Sequence, residues 1–169
     1  MNVRIREVEK DDLKAVSDII VRGWQTAYMG IVDDTFLDNL CVEKTYQRLL
    51  TNYKENGFIV AECENKIVGI CRYRFGDFYK NQYDSVDCEL CALYVKPELK
   101  RNVIGKCLVS YVMNDFKQNG CFKMILWCFK YNFPSRAFYE SLRGFYCGEN
   151  ITVKGDQKYK EVGYVFDLN

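Results

Sequence analysis

The sequence of 169 residues contains no histidine. Imidazole bases, Ser-His-Asp and Cys-His nucleophiles and histidine-ligated metals are therefore excluded. Proton transfer is left to carboxylates, phenols, amines, thiols and backbone amides. Glu89, within "DCELCALYV", has apolar neighbours on both sides, so its charge is costly unless it is exposed, paired or put to use. An alkyl amine with a pKa near about 10.4 is only about one part in a few thousand neutral at pH 7, and only the neutral form is a nucleophile. A carboxylate, directly or through ordered water, is the natural acceptor of the excess proton. The alternative reading of Glu89 is a solvated strand edge.

A second stretch, "LYVKPELKRNVIGKC" (Leu93 to Cys107), runs from an apolar strand through a basic turn into a helix start. The amides of Asn102 to Lys106 begin that helix without intrahelical partners, and the helix dipole adds partial positive charge there. Lys100, Arg101 and Lys106 add full charges, and Gly105 permits close approach to the backbone. This arrangement suits a phosphate, and a solvated basic turn is the alternative. Neither a Walker loop nor a G-x-G-x-x-G fingerprint is present.

The nine cysteines form no disulfide pattern and are expected to be reduced, buried thiols. Cys88 and Cys91 make a C-x-x-C with no second pair, on a strand where residues three apart point to opposite faces. Core packing is expected there, as it is for Cys107, and no metal.

These groups need a scaffold. The length and a composition of 49% hydrophobic and 28% charged residues suit one compact domain over 1–169. A net charge of +1 gives no global field for nucleic acid, and the Lys96 to Lys106 cluster is short, so nucleic-acid binding is not expected. No apolar run is long enough to cross a bilayer, which places the chain in the cytoplasm and off the membrane.

Alternation in "VRIREV" predicts a first strand, and Asp11 or Asp12 is placed to cap a helix burying Leu13, Val16, Ile19, Ile20 and Trp24. A second helix over 43–53 turns Tyr46, Leu49 and Leu50 inward, and a hairpin turns at Glu64-Asn65-Lys66. Strand "VDCELCALYV", a helix over 103–119 and strand "KMILWCF" form a βαβ unit. A helix from Pro134, capped by Asn132 and Ser135, and two closing strands complete a mixed sheet.

Four stretches resemble the GNAT superfamily of acetyl-CoA-dependent N-acetyltransferases: "WQTAYMGIVDDTFLDNL", "CELCALYVKPELKRNVIGKCLV", "NFPSRAFYESLRGF" and "KEVGYVFDL". They occur in family order and at family spacing. The resemblance implies an α+β fold of α/β/α layers, with a mixed, mostly antiparallel sheet of about seven strands and a splayed parallel pair. It implies acetyl-CoA as cosubstrate, pantetheine along Leu93, Tyr94 and Val95, and an amide near Leu93 or Tyr94 facing the thioester carbonyl. The diphosphate then lies on Lys100, Arg101, Asn102, Val103, Ile104, Gly105 and Lys106, and Asn132, Ser135 and Arg136 lie along the coenzyme A arm. Glu89 matches the family's glutamate on this strand and Tyr139 its general acid. Trp24, Tyr28, Phe78, Tyr79 and Tyr83 fall in the segments that form the acceptor cleft, with Asp77, Asp84 and Asp87 able to attract a cation.

The acceptor class left open is a small-molecule amine or a peptide N-terminus, and a homodimer is compatible with the resemblance. Two positions depart from the family. Val103 replaces the first glycine of the phosphate loop, and Arg143 stands where a small residue is common. A non-catalytic acyl-CoA-binding or regulatory module on the same fold is the alternative from another class.

Overall fold

The computed structural model describes residues 2–79, 81–99 and 103–168. Lys100, Arg101 and Asn102, three of the expected phosphate-binding residues, lie outside the described residues. The chain runs β1 (Arg4–Glu7), α1 (Leu13–Ala27), α2 (Asp34–Asp38), α3 (Val42–Asn52), β2 (Gly57–Cys63), β3 (Lys66–Phe75) and β4 (Val86–Val95). It continues with α4 (Ile104–Gln118), β5 (Lys123–Phe129), α5 (Phe133–Ser141), β6 (Phe145–Lys154) and β7 (Gln157–Asp167). The seven strands form one sheet in the order β1-β2-β3-β4-β5-β7-β6. β4 and β5 are parallel and every other pair is antiparallel, so the expected fold class holds.

Alternation on the strands builds two layers of core. Ile59, Cys71, Tyr73, Cys88, Leu90, Met124, Leu126, Val162, Tyr164 and Phe166 face α4 and α5, meeting Ile104, Leu108, Val112, Phe116 and Tyr139. Phe58, Val60, Ile67 and Ile70 face α1 and α3, meeting Leu13, Val16, Ile19 and Leu49. The β2–β3 turn falls at Glu64-Asn65, both at positive φ (50° and 59°), as a tight hairpin requires.

Two local expectations are corrected. Neither Asp11 nor Asp12 caps α1 with its side chain, because a 3-10 turn, Lys10–Asp12, precedes the helix. Asp12 is committed elsewhere: it accepts from Arg6 Nη1 at 2.6 Å and Nη2 at 2.9 Å and from the Glu9 amide at 2.8 Å. Asn132 does cap α5, accepting from the Ser135 amide at 3.3 Å, whereas Ser135 only supplies that N–H and is itself partly buried. The short helix α2, capped by Asp33 through the Phe36 amide, was not foreseen.

The thiols also differ from expectation. All nine are free, but only Cys71 and Cys88 are buried, while Cys41 and Cys91 are exposed. The cause at Cys91 is a register shift. Ala92 pairs with Arg72 and Leu90 with Tyr73, which leaves Cys91 as the extra residue of a bulge.

Candidate active site

The β4–β5 ladder begins at Val86↔Lys123 and ends at Leu90↔Leu126, although β4 runs on to Val95 and β5 to Phe129. Beyond that point β5 stays paired with β7, through Phe129↔Glu161, and β4 stays paired with β3, through Gly69↔Val95. The two strands therefore part, and among the described residues the backbone edge of Cys91 to Val95 has no strand beside it on the β5 side. The bulge at Cys91 sits at the fork.

Above the open edge, the first turn of α4 meets the end of β4. A Cβ on Gly105 would stand 3.4 Å from the Phe138 ring of α5 and 3.9 Å from Val95 Cγ2. Among the described residues the first bond of this helix runs from Cys107 N–H to Val103 O at 2.9 Å, and the amides of Ile104, Gly105 and Lys106 precede it with no helical partner among those residues. Val103 has φ −66° and ψ −9°, ordinary for any residue, and is 56% exposed. The glycine common at this position is thus not required by the backbone here.

Glu89 is only 8% exposed. Its Oε2 accepts from Arg74 Nε at 2.7 Å and Nη2 at 2.5 Å, and its Oε1 accepts from the Tyr79 hydroxyl at 3.1 Å. Arg74 lies opposite Glu89 on β3, so the pairing follows from strand register. Burial, and next the charge of Glu89, push the Tyr79 phenol up to about 12. Arg74 also lies over the ring of the exposed Phe78, 3.8 Å from its centroid.

Tyr139 approaches the fork from the opposite face. It is 8% exposed, packs with Phe138 and Tyr164 at ring distances of 5.3 and 6.2 Å, and has Cys128 of β5, Cys71 of β3 and Tyr94 of β4 as its ionisable neighbours. Burial holds its phenol well above the ordinary range, so it stays protonated at neutral pH. Tyr28 of α1 stands against Tyr94, and burial raises both phenols. Trp24 and Tyr28 form an edge-to-face pair at 4.8 Å, and Tyr28 meets Phe129 at 4.7 Å.

Not every expected ligand contact is free to serve. The Arg136 guanidinium donates to the Tyr164 hydroxyl at 3.2 Å and to the Lys130 carbonyl at 3.1 Å, tying α5 to β5 and β7. Asp87 is turned away to the closed end of the fork, where it accepts from the amides of Phe122 and Lys123. Its carboxylate, Cys88 and Cys121 place ligand atoms within 4.8 Å of one another, but the Asp87 oxygens are already taken by those amides.

Two residues of this region were missed by sequence reasoning besides Arg74. The Trp127 indole lies across Gly163, where a Cβ would come within 2.9 Å of two ring atoms. Its buried N–H has no hydrogen-bond partner of ordinary geometry among the described residues, although the Tyr79 hydroxyl is close by. Tyr79 and Tyr83 flank the indole, each 6.1 Å from it. The second is Glu161 on β7. Alternation in "MILWCF" was the available signal for Trp127; Glu161 had none without the register of β5 and β7.

A sheet forked at one parallel pair, with an open strand edge leading to a helix N-terminus, suits a long phosphorylated thioester. The profile of the acetyltransferase (GNAT) family matches residues 21–145, which span the fork, α4 and α5. The chain belongs to the GNAT acetyltransferase family. It is an N-acetyltransferase of that family.

This acetyltransferase is 24% identical over 161 residues to the uncharacterized N-acetyltransferase YuaI of Bacillus subtilis, covering 95% of this chain and 91% of that one. It is 23% identical over 146 residues to a spermidine N(1)-acetyltransferase of Thermoplasma acidophilum, covering 82% and 86%. The crystal structure of the PaiA N-acetyltransferase from Thermoplasma acidophilum in complex with coenzyme A superposes with a TM-score of 0.72 at 19% identity, covering 96% and 98%, and shows the same fold. Among the described residues no helix of the acetyltransferase is long and apolar enough to cross a membrane.

Proposed function

We propose that this acetyltransferase, as one domain over 1–169, moves the acetyl group directly from acetyl-CoA to a primary amine of a small molecule or a peptide N-terminus within a ternary complex. The observation that carries the reading is the fork: Glu89 sits just below it on one face of the sheet and Tyr139 reaches it from the other. Acetyl-CoA supplies an activated acyl group and a thiolate leaving group. Every other service falls to side chains and amides of the chain.

The open edge of Leu93, Tyr94 and Val95 offers backbone groups to the amide-bearing pantetheine arm, and the amides of Ile104, Gly105 and Lys106 suit the diphosphate. Lys100, Arg101, Asn102 and Val103 complete the loop in this reading, and Asn132, Ser135 and Arg136 border it through α5. An amide at Leu93 or Tyr94 polarises the acyl carbonyl. Glu89, oriented by Arg74 and Tyr79, takes the amine's proton through an ordered water. Tyr139, kept protonated by burial, gives a proton to the departing sulfur.

Trp24, Tyr28, Phe78, Tyr79 and Tyr83 surround the acceptor. The likeness to the spermidine N(1)-acetyltransferase supports a small cationic amine among the acceptors. The test is release of free thiol from acetyl-CoA across a panel of alkyl amines, aminoglycosides and peptides. Glu89→Gln is expected to lower kcat at neutral pH by about 10²–10⁴-fold. Its KM for acetyl-CoA is expected to stay unchanged. Equal turnover by wild type and Glu89→Gln contradicts the assigned base.

A further inference from the structure

We propose that Glu161 is a second anionic contact in the acceptor cleft, selecting an alkyl amine that carries another ammonium group over a simple monoamine. This rests on the amine-acetylating reading above and adds the residue that sets acceptor class.

β7 sends Val162, Tyr164 and Phe166 into the core beneath α4 and α5, so Glu161 and Gly163 face the other side of the sheet, the side of Glu89 and Arg74. Between β4 and β7 lies β5, whose Trp127 indole reaches across Gly163. Trp127 thus forms an apolar floor with one carboxylate at each end. Tyr79 and Tyr83 wall one side, and Phe129, opposite Glu161 in the β5–β7 ladder, walls the Trp24 and Tyr28 side. Glu89 stands opposite Ile125 and Glu161 opposite Phe129, so the two acids are two strands apart and offset by four residues along β5, with their backbones on the order of 15 Å apart and both side chains on the same face.

The two acids are not equivalent. Glu89 is matched by Arg74 and Tyr79, whereas Glu161, partly buried, has no hydrogen bond or ion pair among the described residues. Burial raises the Glu161 carboxyl above its ordinary value, Lys154 pulls it back, and Glu89 raises it further, so the two carboxylates sense each other across the cleft. Tyr94 and Cys128 in turn feel Glu161. Lys154, the charge that acts most on Glu161, has its Nζ 5.7 Å above the Trp24 ring and makes no ion pair with Glu161 among the described residues. A half-buried carboxylate without a partner is costly by itself and is relieved by a ligand cation. An alkyl chain laid over Trp127, with its reacting nitrogen at Glu89 and a distal ammonium at Glu161, satisfies each part.

Steady-state acetylation of butylamine, 1,4-diaminobutane and spermidine by wild type and Glu161→Gln tests this. Wild type is expected to favour the diamine and spermidine over butylamine in kcat/KM. Glu161→Gln is expected to raise KM for both by about tenfold. The kcat values and the KM for butylamine are expected to hold, and unchanged butylamine kinetics also report an intact fold. Equal effects on all three amines, or no wild-type preference for a second ammonium, overturn the assignment of Glu161 alone. Absence of turnover with every amine overturns the amine-acetylating reading itself, and this assignment with it.

Discussion

The two ends of the β4–β5 pair are built from the same two strands and serve opposite purposes. At the lower end four residue pairs between Val86 and Leu90 hold the strands together, and Asp87 ties the amides of Phe122 and Lys123 across the gap. At the upper end the Cys91 bulge turns β4 away, no cross-bonds form, and aromatic side chains from α1, β4 and α5 gather at the opening. Backbone pairing at one end supplies stability. Unpaired backbone at the other leaves a polar edge whose N–H and C=O groups need partners from water or a ligand.

The largest effect is expected at Tyr139. Tyr139→Phe keeps the packing of the open end and removes one hydroxyl, so kcat is expected to fall by about 10²–10⁴-fold with the thermal midpoint unchanged. Because burial raises this phenol, the wild-type kcat profile is expected to show no decline from its ionisation up to a pH of about 10, where an ordinary tyrosine titrates. The same shift has a stability consequence. The folded state holds the proton more tightly than the unfolded chain, so the contribution is intact below a pH of about 10 and is lost as the pH rises beyond it. Stopped-assay rates and chemical denaturation against pH check the two statements.

The closed end should respond in the reverse sense. Asp87→Ala removes the acceptor of two backbone amides and is expected to lower unfolding free energy by about 1–2 kcal/mol in urea titrations. The KM for acetyl-CoA is expected to stay within experimental error. A variant that unfolds normally but loses acetyl-CoA affinity would show that the two ends are not separable.

Gly105→Ala sharpens the upper end. The added methyl meets the Phe138 ring at ordinary contact distance, and alanine favours the helix by up to about 1 kcal/mol, so stability is expected to hold or rise. If the first-turn amides hold the diphosphate, the same methyl is expected to raise KM for acetyl-CoA by about tenfold. Smallest of all is Arg143→Gly. Arg143 follows α5 at φ 68°, a left-handed conformation that disfavours side chains, and the glycine is expected to add about 0.5–1 kcal/mol of stability. Kinetics are expected to be untouched.

Much of this architecture can be read from the chain before any coordinates. The strand, basic turn and helix around Leu93 to Cys107, the hairpin at Glu64-Asn65 and the N-capped helix after Asn132 announce themselves through local residue choice. Glu89 drew attention because a carboxylate among apolar neighbours needs a reason. Its partners could not be named, since Arg74 reaches it only through a register that shifts by one residue at the bulge. The bulge itself leaves no mark in "ELCAL", and so Cys91 was taken for a packing thiol. Glu161 and Trp127 were hidden for the same reason: β5 meets β7 across more than thirty intervening residues, and which side of the sheet each presents depends on that pairing. Ser135 was misread because two residues that can cap stood three apart, and only backbone geometry shows which one accepts the bond.

The central claim is that the open end of the fork receives acetyl-CoA along its edge and at the first turn of α4. Calorimetric titration of the purified protein with acetyl-CoA and, separately, with S-acetylpantetheine tests it most directly. Saturable binding of acetyl-CoA at about micromolar concentration is expected, with binding of the truncated thioester weaker by at least about tenfold. Equal affinity for the two, or no heat with acetyl-CoA, would contradict it.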